Sequence, residues 1–510
     1  MPGKAATPAR RAAPRVLIPL LLAGAIVLGA AGNDGGESAV AASGQSGAKQ
    51  TRPNVIVIET DDQTAETLRV MKNVKALLGA QGATFENNFV TFPLCCPSRA
   101  TLLTGQYAHN HGVLGNSPPA GGYEKLDHSN TLAVWLQRAG YHTAHLGKYL
   151  NGYGKRGKEL EIPPGWSEWH GAVKLTFFDH QLNVNGKLVS FGSRPADYQT
   201  DVYGAKAREI IKRRAPGTKP FFLWLAFFAP HGGGPPDADD PKGMGTTKPA
   251  PRHQNDFATE PLPAPPSLNE RDVSDKPAGI RSRPLLSAQD LAAVREAYQQ
   301  QLESLLAVDE AVAGVVAQLK QAGELSNTLI VFTADNGFFH GEHRVPSGKV
   351  LLYEPSIRVP LLMRGPGVPK GVRVQQLVAN IDLAPTIVDA ANAKPGRAMD
   401  GRSLLPLVKN RQLPWRNELL LERGPAGGGK KAGKKGNGPR QNARDQRYAA
   451  IRTARYLYAE YESGERELYD LAQDPHELTS RHADPSLAPI RTDLSQRLAR
   501  LSSCAGQSCR

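Results

Sequence analysis

NVIVIETDD, residues 54–62, sets the architecture of the chain. Residues 54–59 form a short apolar, β-branched run without alternation, the pattern of a parallel strand buried on both faces. Two acids, Asp61 and Asp62, follow at once. The arrangement recurs twice. PFFLWLAFF, residues 220–228, precedes His231, and NTLIVFT, residues 327–333, precedes Asp335 and Asn336. In open α/β sheets, ligands sit beyond the carboxyl ends of the strands. Asp61, Asp62, His231, Asp335 and Asn336 are therefore expected on one rim although they lie far apart in sequence. Each cluster alone is a weak signal, since Asp-Asp pairs are usually solvated and Asp-Asn-Gly is usually a turn. Repetition at equivalent strand ends is what gives them weight. Three aspartates and an amide oxygen form an all-oxygen donor set, suited to calcium or magnesium and unsuited to zinc.

Outward from these runs, strand and helix patterns alternate. Residues 141–146 and 359–363 read as further strands. Residues 66–78, 97–104, 129–138, 198–214, 288–321 and 382–391 read as helices, and residues 232–284, rich in Pro, Gly and Asp, as loop. The fold expected is α/β, a large mixed, mostly parallel sheet sandwiched by helices. After residue 404 the pattern changes. Residues 447–452, 455–461 and 466–469 read as short antiparallel strands, with a hairpin turn at Ser463-Gly464, and residues 485–501 as a closing helix. This divides the chain into a catalytic domain, 53–404, and a smaller C-terminal α+β subdomain, 405–510, which carries a mobile Gly/Lys-rich loop at 424–438.

A length of 510 residues accommodates this pair of units, and the 40% hydrophobic content is that of a globular protein. The N-terminus reads as an export signal. Lys4, Arg10, Arg11 and Arg15 precede an uncharged apolar stretch, residues 16–31, shorter than the ~20 residues a membrane-spanning helix needs. Ala39-Val40-Ala41 offers a cleavage site. Residues 1–41 are thus expected to be a signal peptide and 42–52 a linker, giving a secreted or extracytoplasmic protein with no stable membrane anchor after cleavage. The formal charge of +14 raises the question of nucleic acid, but no nucleic-acid module is present, and part of the excess is a local run, Lys430, Lys431, Lys434 and Lys435. Cys504 and Cys509 are spaced to close a small disulfide loop in an oxidising compartment. The adjacent Cys95 and Cys96 need another account.

That account comes from their surroundings. Cys95-Cys96-Pro97-Ser98-Arg99, running on as Ala-Thr-Leu-Leu-Thr-Gly105, resembles the signature of the sulfatase family, the formylglycine-dependent branch of the alkaline-phosphatase-like superfamily. The resemblance extends over residues 53–480 through Gly147-Lys148, Ala229-Pro230-His231, Asp335-Asn336-Gly337, Pro346-Ser347-Gly348-Lys349 and the tail ELYDLAQDPHEL. Its wording is most similar to that of N-acetylglucosamine-6-sulfatases and bacterial arylsulfatases. The resemblance implies that a formylglycine-generating enzyme converts Cys95 to formylglycine. It implies a metal site of Asp61, Asp62, the modified Cys95, Asp335 and Asn336, holding calcium or, alternatively, magnesium. It implies catalytic roles for Cys95, Arg99, Lys148, His231, Asp335 and Lys349. One hydroxyl of the hydrated aldehyde attacks sulfur with help from Asp335, His231 or Lys349 protonates the departing alcohol, and the second hydroxyl allows the sulfate to be expelled. The expected substrate is a small-molecule or carbohydrate sulfate ester. Phosphate mono- or diester or phosphonate ester hydrolysis, known in the same superfamily, is the alternative. One departure stands out. Where many members read Gly-Lys-x-His, this chain has Gly147-Lys148-Tyr149-Leu150, and His109, His111, His145, His340 and His343 are the histidines from which a substitute could come.

Overall fold

The structure is a computed structural model that describes Gly3 and residues 52–155, 157–215, 217–233, 240–424 and 447–510. The expected signal peptide and nearly all of the linker and the Gly/Lys-rich loop lie outside the described residues. Contacts divide Met1–Gly47 from Ala48–Arg510, and every element below belongs to the second unit.

Among the described residues, sixteen strands form three sheets. The largest has ten, in the order β11-β2-β10-β9-β1-β8-β4-β5-β6-β7. These are β1 (Asn54–Thr60), β2 (Ala83–Phe85), β4 (His142–Gly147), β5 (Glu168–Lys174), β6 (Gln181–Val184), β7 (Lys187–Ser190), β8 (Phe221–Ala226), β9 (Thr328–Ala334), β10 (Leu361–Arg364) and β11 (Val372–Val374). The central five, β9-β1-β8-β4-β5, run parallel, while β10 and the β6-β7 hairpin are antiparallel. A two-stranded sheet joins β3 (Asn88–Phe89) to β12 (Val378–Ala379).

The unbroken apolar runs follow from burial on both faces. Along β1, Val55 and Val57 point into one core and Ile56 and Ile58 into the other, and all four are fully buried. Helices Cys95–Thr104, Leu132–Arg138 and Leu383–Ala390 cover the first face. Helices Gln199–Arg214 and Ala288–Gln321 cover the second. The segment read as a helix at 66–78 is instead a 3₁₀ turn, a three-residue helix and a π turn in succession.

The C-terminal sheet has four strands, β13 (Glu418–Arg423), β14 (Tyr448–Thr453), β15 (Tyr456–Tyr461) and β16 (Arg466–Asp470), all antiparallel, and helix Ala488–Leu501 packs on it. Its core is shared with Phe339, Tyr353 and Ile357 from the segment that follows β9. Cys504 and Cys509 form a disulfide. Among the described residues no helix is long and apolar enough to cross a membrane.

Candidate active site

Register fixes the rim. Thr60 of β1 lies opposite Ala334 of β9, and Glu59 opposite Ala226 of β8. The next residues therefore emerge side by side: the Asp335 amide donates to the Thr60 carbonyl at 3.1 Å and the Asp61 amide to the Ala229 carbonyl at 3.2 Å. The Asp62 amide donates to Asp335 Oδ1 at 3.2 Å. Lys148 enters from β4. It follows Gly147, whose φ of 111° and lack of a Cβ allow the chain within van der Waals range of the Ala226 carbonyl.

Cys95 opens helix Cys95–Thr104 directly after the extended Leu94, two residues before the proline at which the helix was expected to begin. Its thiol is buried and sits 3.6 Å from Asp61 Oδ1 and 2.9 Å from Lys349 Nζ. Burial pushes the thiol up to about 12, against the pull of Lys148 and Lys349. One ligand atom from each of Asp61, Asp62, Cys95 and His231 lies within 4.8 Å of the other three.

Charge is tightly matched here. Lys148 pairs with Asp61 and Lys349 with Asp62. Both aspartates stay below the usual carboxylate range: burial is the largest influence and raises them, but Lys148, His231 and Arg99 together outweigh it at Asp61, and Lys349, His231 and Lys148 together outweigh it at Asp62. Arg99, one helical turn beyond Cys95, is fully buried and lies behind the cluster. Its Nε donates to Asp335 Oδ2 at 2.8 Å and its Nη1 to the Lys148 carbonyl at 2.8 Å, with Glu59 Oε2 at 3.2 Å and Asp61 Oδ2 at 3.6 Å. Glu59, the charged residue at the end of β1, was not singled out from sequence. Burial raises its acid to about 8, against the attraction of Arg99.

A divalent ion suits this donor set on a specific observation. Asn336 Nδ2 donates to Asp62 Oδ1 at 2.6 Å and to the Gly337 carbonyl, which turns Oδ1 away from both. That oxygen is buried with no hydrogen-bond partner. An orphaned amide oxygen beside three carboxylates is the arrangement a hard cation would satisfy.

His231 stacks on Phe228 at 4.9 Å between ring centroids. Its Nδ1 lies 2.5 Å from the Gly232 carbonyl and its Nε2 3.6 Å from Asp62 Oδ2. The Nδ1 contact implies a proton on that nitrogen, which leaves Nε2 toward the carboxylates. Burial lowers the pKa of the ring even though Asp62 and Asp61 pull it up.

A cavity of about 410 Å³ opens onto this end of the cluster, with Asp62, His231 and Lys349 at one side and Phe92, Leu114 and Phe338 among its apolar lining. Arg423, at the end of β13, also lines it and could not have been found by local pattern. Val350, next to Lys349, holds a φ of 78°, a rare conformation for a β-branched residue, and its carbonyl accepts from Tyr448 Oη at 3.1 Å. Leu150 is buried. The five candidate substitute histidines are occupied elsewhere: His109 by Glu422, His111 by Thr101, His145 by the Gly147 carbonyl, His340 by Gln301 and His343 by Glu270. Of the cavity's described lining residues, only His231 is a histidine.

A buried thiol at a helix start, carboxylates suited to a cation and flanking lysines, all at the strand ends of a doubly covered sheet, form a site suited to hydrolysis of anionic esters. Comparison with known proteins narrows the class. The sulfatase family model matches residues 53–393. N-acetylglucosamine-6-sulfatase of Capra hircus is 34% identical over 501 residues, covering 92% of this chain and 87% of that protein. The putative extracellular sulfatase Sulf-1 homolog of Caenorhabditis elegans is 36% identical over 388 residues, 73% of this chain and 52% of that protein. A solved structure in complex with its substrate D-glucosamine-2-N,6-O-disulfate shares the fold, with a TM-score of 0.71 at 24% identity over 88% of this chain and 97% of that one. The chain belongs to the sulfatase family and is a sulfuric ester hydrolase.

Proposed function

We propose that the chain removes sulfate from sulfated sugars, with a formylglycine made from Cys95 and a calcium ion held by Asp61, Asp62, Asp335 and Asn336. The observation that carries this reading is the convergence of Cys95 Sγ with Asp61, Asp62 and His231 within 4.8 Å, beside the unpartnered Asn336 oxygen. The sugar is suggested by the N-acetylglucosamine-6-sulfatase relative.

When bound, the ion supplies a Lewis acid for a sulfate oxygen and neutralises the carboxylates. The hydrated formylglycine supplies two hydroxyls on one carbon, one to attack and one whose proton is lost as sulfate leaves. The chain's own groups do the rest. Lys148 and Lys349, which pair with Asp61 and Asp62, would turn their charge toward the sulfate oxygens if a bound ion neutralised those carboxylates. Asp335, fixed by Arg99 Nε, accepts the proton of the attacking hydroxyl. Lys349 Nζ, or His231 Nε2 once the ring has taken up a second proton, gives a proton to the departing alcohol. Arg99 acts as a positioning residue behind Asp335 and Asp61. Residues 53–404 serve as the catalytic domain and 405–510 as a subdomain that completes the cavity wall. The basic and apolar N-terminus and the relative named as extracellular support export, with maturation by a formylglycine-generating enzyme.

Cys95→Ala tests this directly. Turnover should vanish while the thermal melt and its upward shift with calcium persist. Near-normal sulfate release by that variant would exclude the formylglycine route, and a melt indifferent to calcium in both forms would exclude the ion site.

A further inference from the structure

Among the described residues β13 is an edge strand. It pairs with β14 on one side only, and its end, at Arg423 and Gly424, forms part of the cavity wall. Edge strands open more readily than central ones, so whatever fastens the other side of β13 fastens that wall. The ties run to segments on either side of the Cys95 helix. The Glu422 amide donates to the Thr91 carbonyl at 2.8 Å, next to Phe92 of the wall, and the Leu420 amide to Tyr107 Oη at 3.4 Å. The Glu422 carboxylate takes the Ala108 amide at 3.1 Å through Oε2 and meets His109 Nδ1 at 2.8 Å through Oε1.

His109 has a second tie. Its Nε2 lies 2.9 Å from the Cys504 carbonyl, which also accepts from Asn110 Nδ2 at 2.9 Å. Cys504 opens the disulfide loop that closes at Cys509, and the Gly506 amide fastens that loop to Asp400 Oδ1 at 2.7 Å. Both ring nitrogens of His109 thus face acceptors, a carboxylate and a carbonyl. Only the imidazolium carries N–H on both nitrogens. A neutral ring has one, and must give up either Glu422 or Cys504. The titratable groups around the ring are Glu422 on β13, Asp400 beside the disulfide loop, and Tyr107 and His111 on its own turn, the Tyr107 ring stacking on it at 5.8 Å. His111 carries no charge, because burial, Arg397 and His109 itself hold it down to about 3. At His109 burial is the largest influence and lowers the ring, but Glu422, the Cys504 carbonyl and Asp400 prevail and hold it above the ordinary histidine value.

We infer that His109 is a pH-dependent pin: as an imidazolium it joins the β13 wall of the cavity to the C-terminal disulfide loop, and on losing a proton it releases one of the two. The folded state favours the charged ring, so the pin is complete below the unfolded histidine value of ~6.5 and is lost as pH rises through the higher folded value. The catalytic steps give His109 no part, so its effect is one of positioning and is separable from turnover.

The test is hydrogen exchange read by mass spectrometry on the full chain, wild type and His109→Gln, at about pH 5.5 and about pH 9, on either side of the ordinary histidine range. Protection factors are compared, so that the intrinsic pH dependence of exchange cancels. Glutamine offers one donor group and no charge, and so stands in for the neutral ring. At the lower pH the substitution should reduce protection about tenfold, the size of a hydrogen bond to a charged group, in the peptide carrying Leu420 and Glu422, in the one carrying Gly506, or in both. At the higher pH wild type and variant should agree within about twofold. A loss of equal size at both pH values would make His109 an ordinary contact and overturn the inference, as would no loss at the lower pH. Ring NMR gives a second reading. The His109 signal, assigned by its absence from His109→Gln, should titrate above ~6.5 and move down in Glu422→Gln, and a wild-type titration at or below ~6.5 overturns the inference whatever the exchange shows.

Discussion

Arg99→Met removes the guanidinium from beneath the site and nothing that touches the cavity. In the folded chain Arg99 is fully buried, with Asp335 at 2.8 Å, Glu59 at 3.2 Å and Asp61 at 3.6 Å. Deleting one partner of a buried ionic network leaves uncompensated charge and costs ~3–5 kcal/mol. Glu59 moderates the loss, because its acid already lies near 8 and takes up a proton readily once Arg99 is gone. The loss should therefore fall at the lower end, ~3 kcal/mol. Glu59→Gln alone should cost little near neutral pH. Because the two residues touch, above pH ~8, where Glu59 is ionised, the double variant should be less damaged than the sum of the singles by ~1–2 kcal/mol. The assay is urea unfolding followed by tryptophan fluorescence, with chelator present and Cys95 unmodified, so that neither metal nor turnover contributes. The slope of the transition should stay constant while its midpoint moves. A cost below ~1 kcal/mol, the range of a surface pair, or strict additivity of the two substitutions would refute the account of Arg99 as the anchor of the carboxylate cluster.

Two further outcomes follow from contacts away from the nucleophile. Tyr448→Phe removes the hydrogen bond that holds the strained Val350 carbonyl beside Lys349, worth ~0.5–1.5 kcal/mol; kcat/KM should fall about three- to tenfold with the thermal melt nearly unchanged, and an unaltered kcat/KM would remove Tyr448 from the positioning of Lys349. Glu168, at the opposite end of the sheet, is held below the usual carboxylate range: burial raises it, but hydrogen bonds from His142, His170 and Arg213 prevail. Since its folded pKa is depressed, its stabilisation is complete above the unfolded value of ~4.3 and is lost as pH falls toward the folded one. Glu168→Gln should lower stability at neutral pH and flatten the acid limb of the stability profile, and a parallel pair of profiles would contradict this.

What could be read from sequence was what local chemistry determines. β1, β8 and β9 were legible because strands buried on both faces must be continuously apolar, and the helix Ala288–Gln321 because its pattern persists over 34 residues. Strands β5 to β7 were missed. β5 is interrupted by Gly171 and an irregular register between Ala172 and Lys174, and β7 is largely exposed. A signal was nevertheless present: Asn185-Gly186, both at positive φ, is a hairpin turn dipeptide between β6 and β7. β13 was missed beside the low-complexity segment. In the site, the polar residues at strand ends could be named because the sheet's register brings them together. Glu59 was discoverable as the one acid within the otherwise apolar runs of β1, β8 and β9, where a carboxyl must be either protonated or paired. Arg423 was not, because its place in the cavity wall depends on how the C-terminal sheet docks, and no pattern around residue 423 encodes that.

The central claim, sulfate ester hydrolysis at a matured Cys95, is tested most directly by one ratio. Catalytic efficiency is measured for N-acetylglucosamine 6-sulfate against N-acetylglucosamine 6-phosphate, with calcium present and Cys95 converted to formylglycine. The two esters are nearly the same size but differ in charge, so the comparison reads the reacting group alone. The account predicts a strong preference for the sulfate, lost when Cys95 is replaced by alanine. A preference for the phosphate, or sulfate release that survives Cys95→Ala, would contradict it.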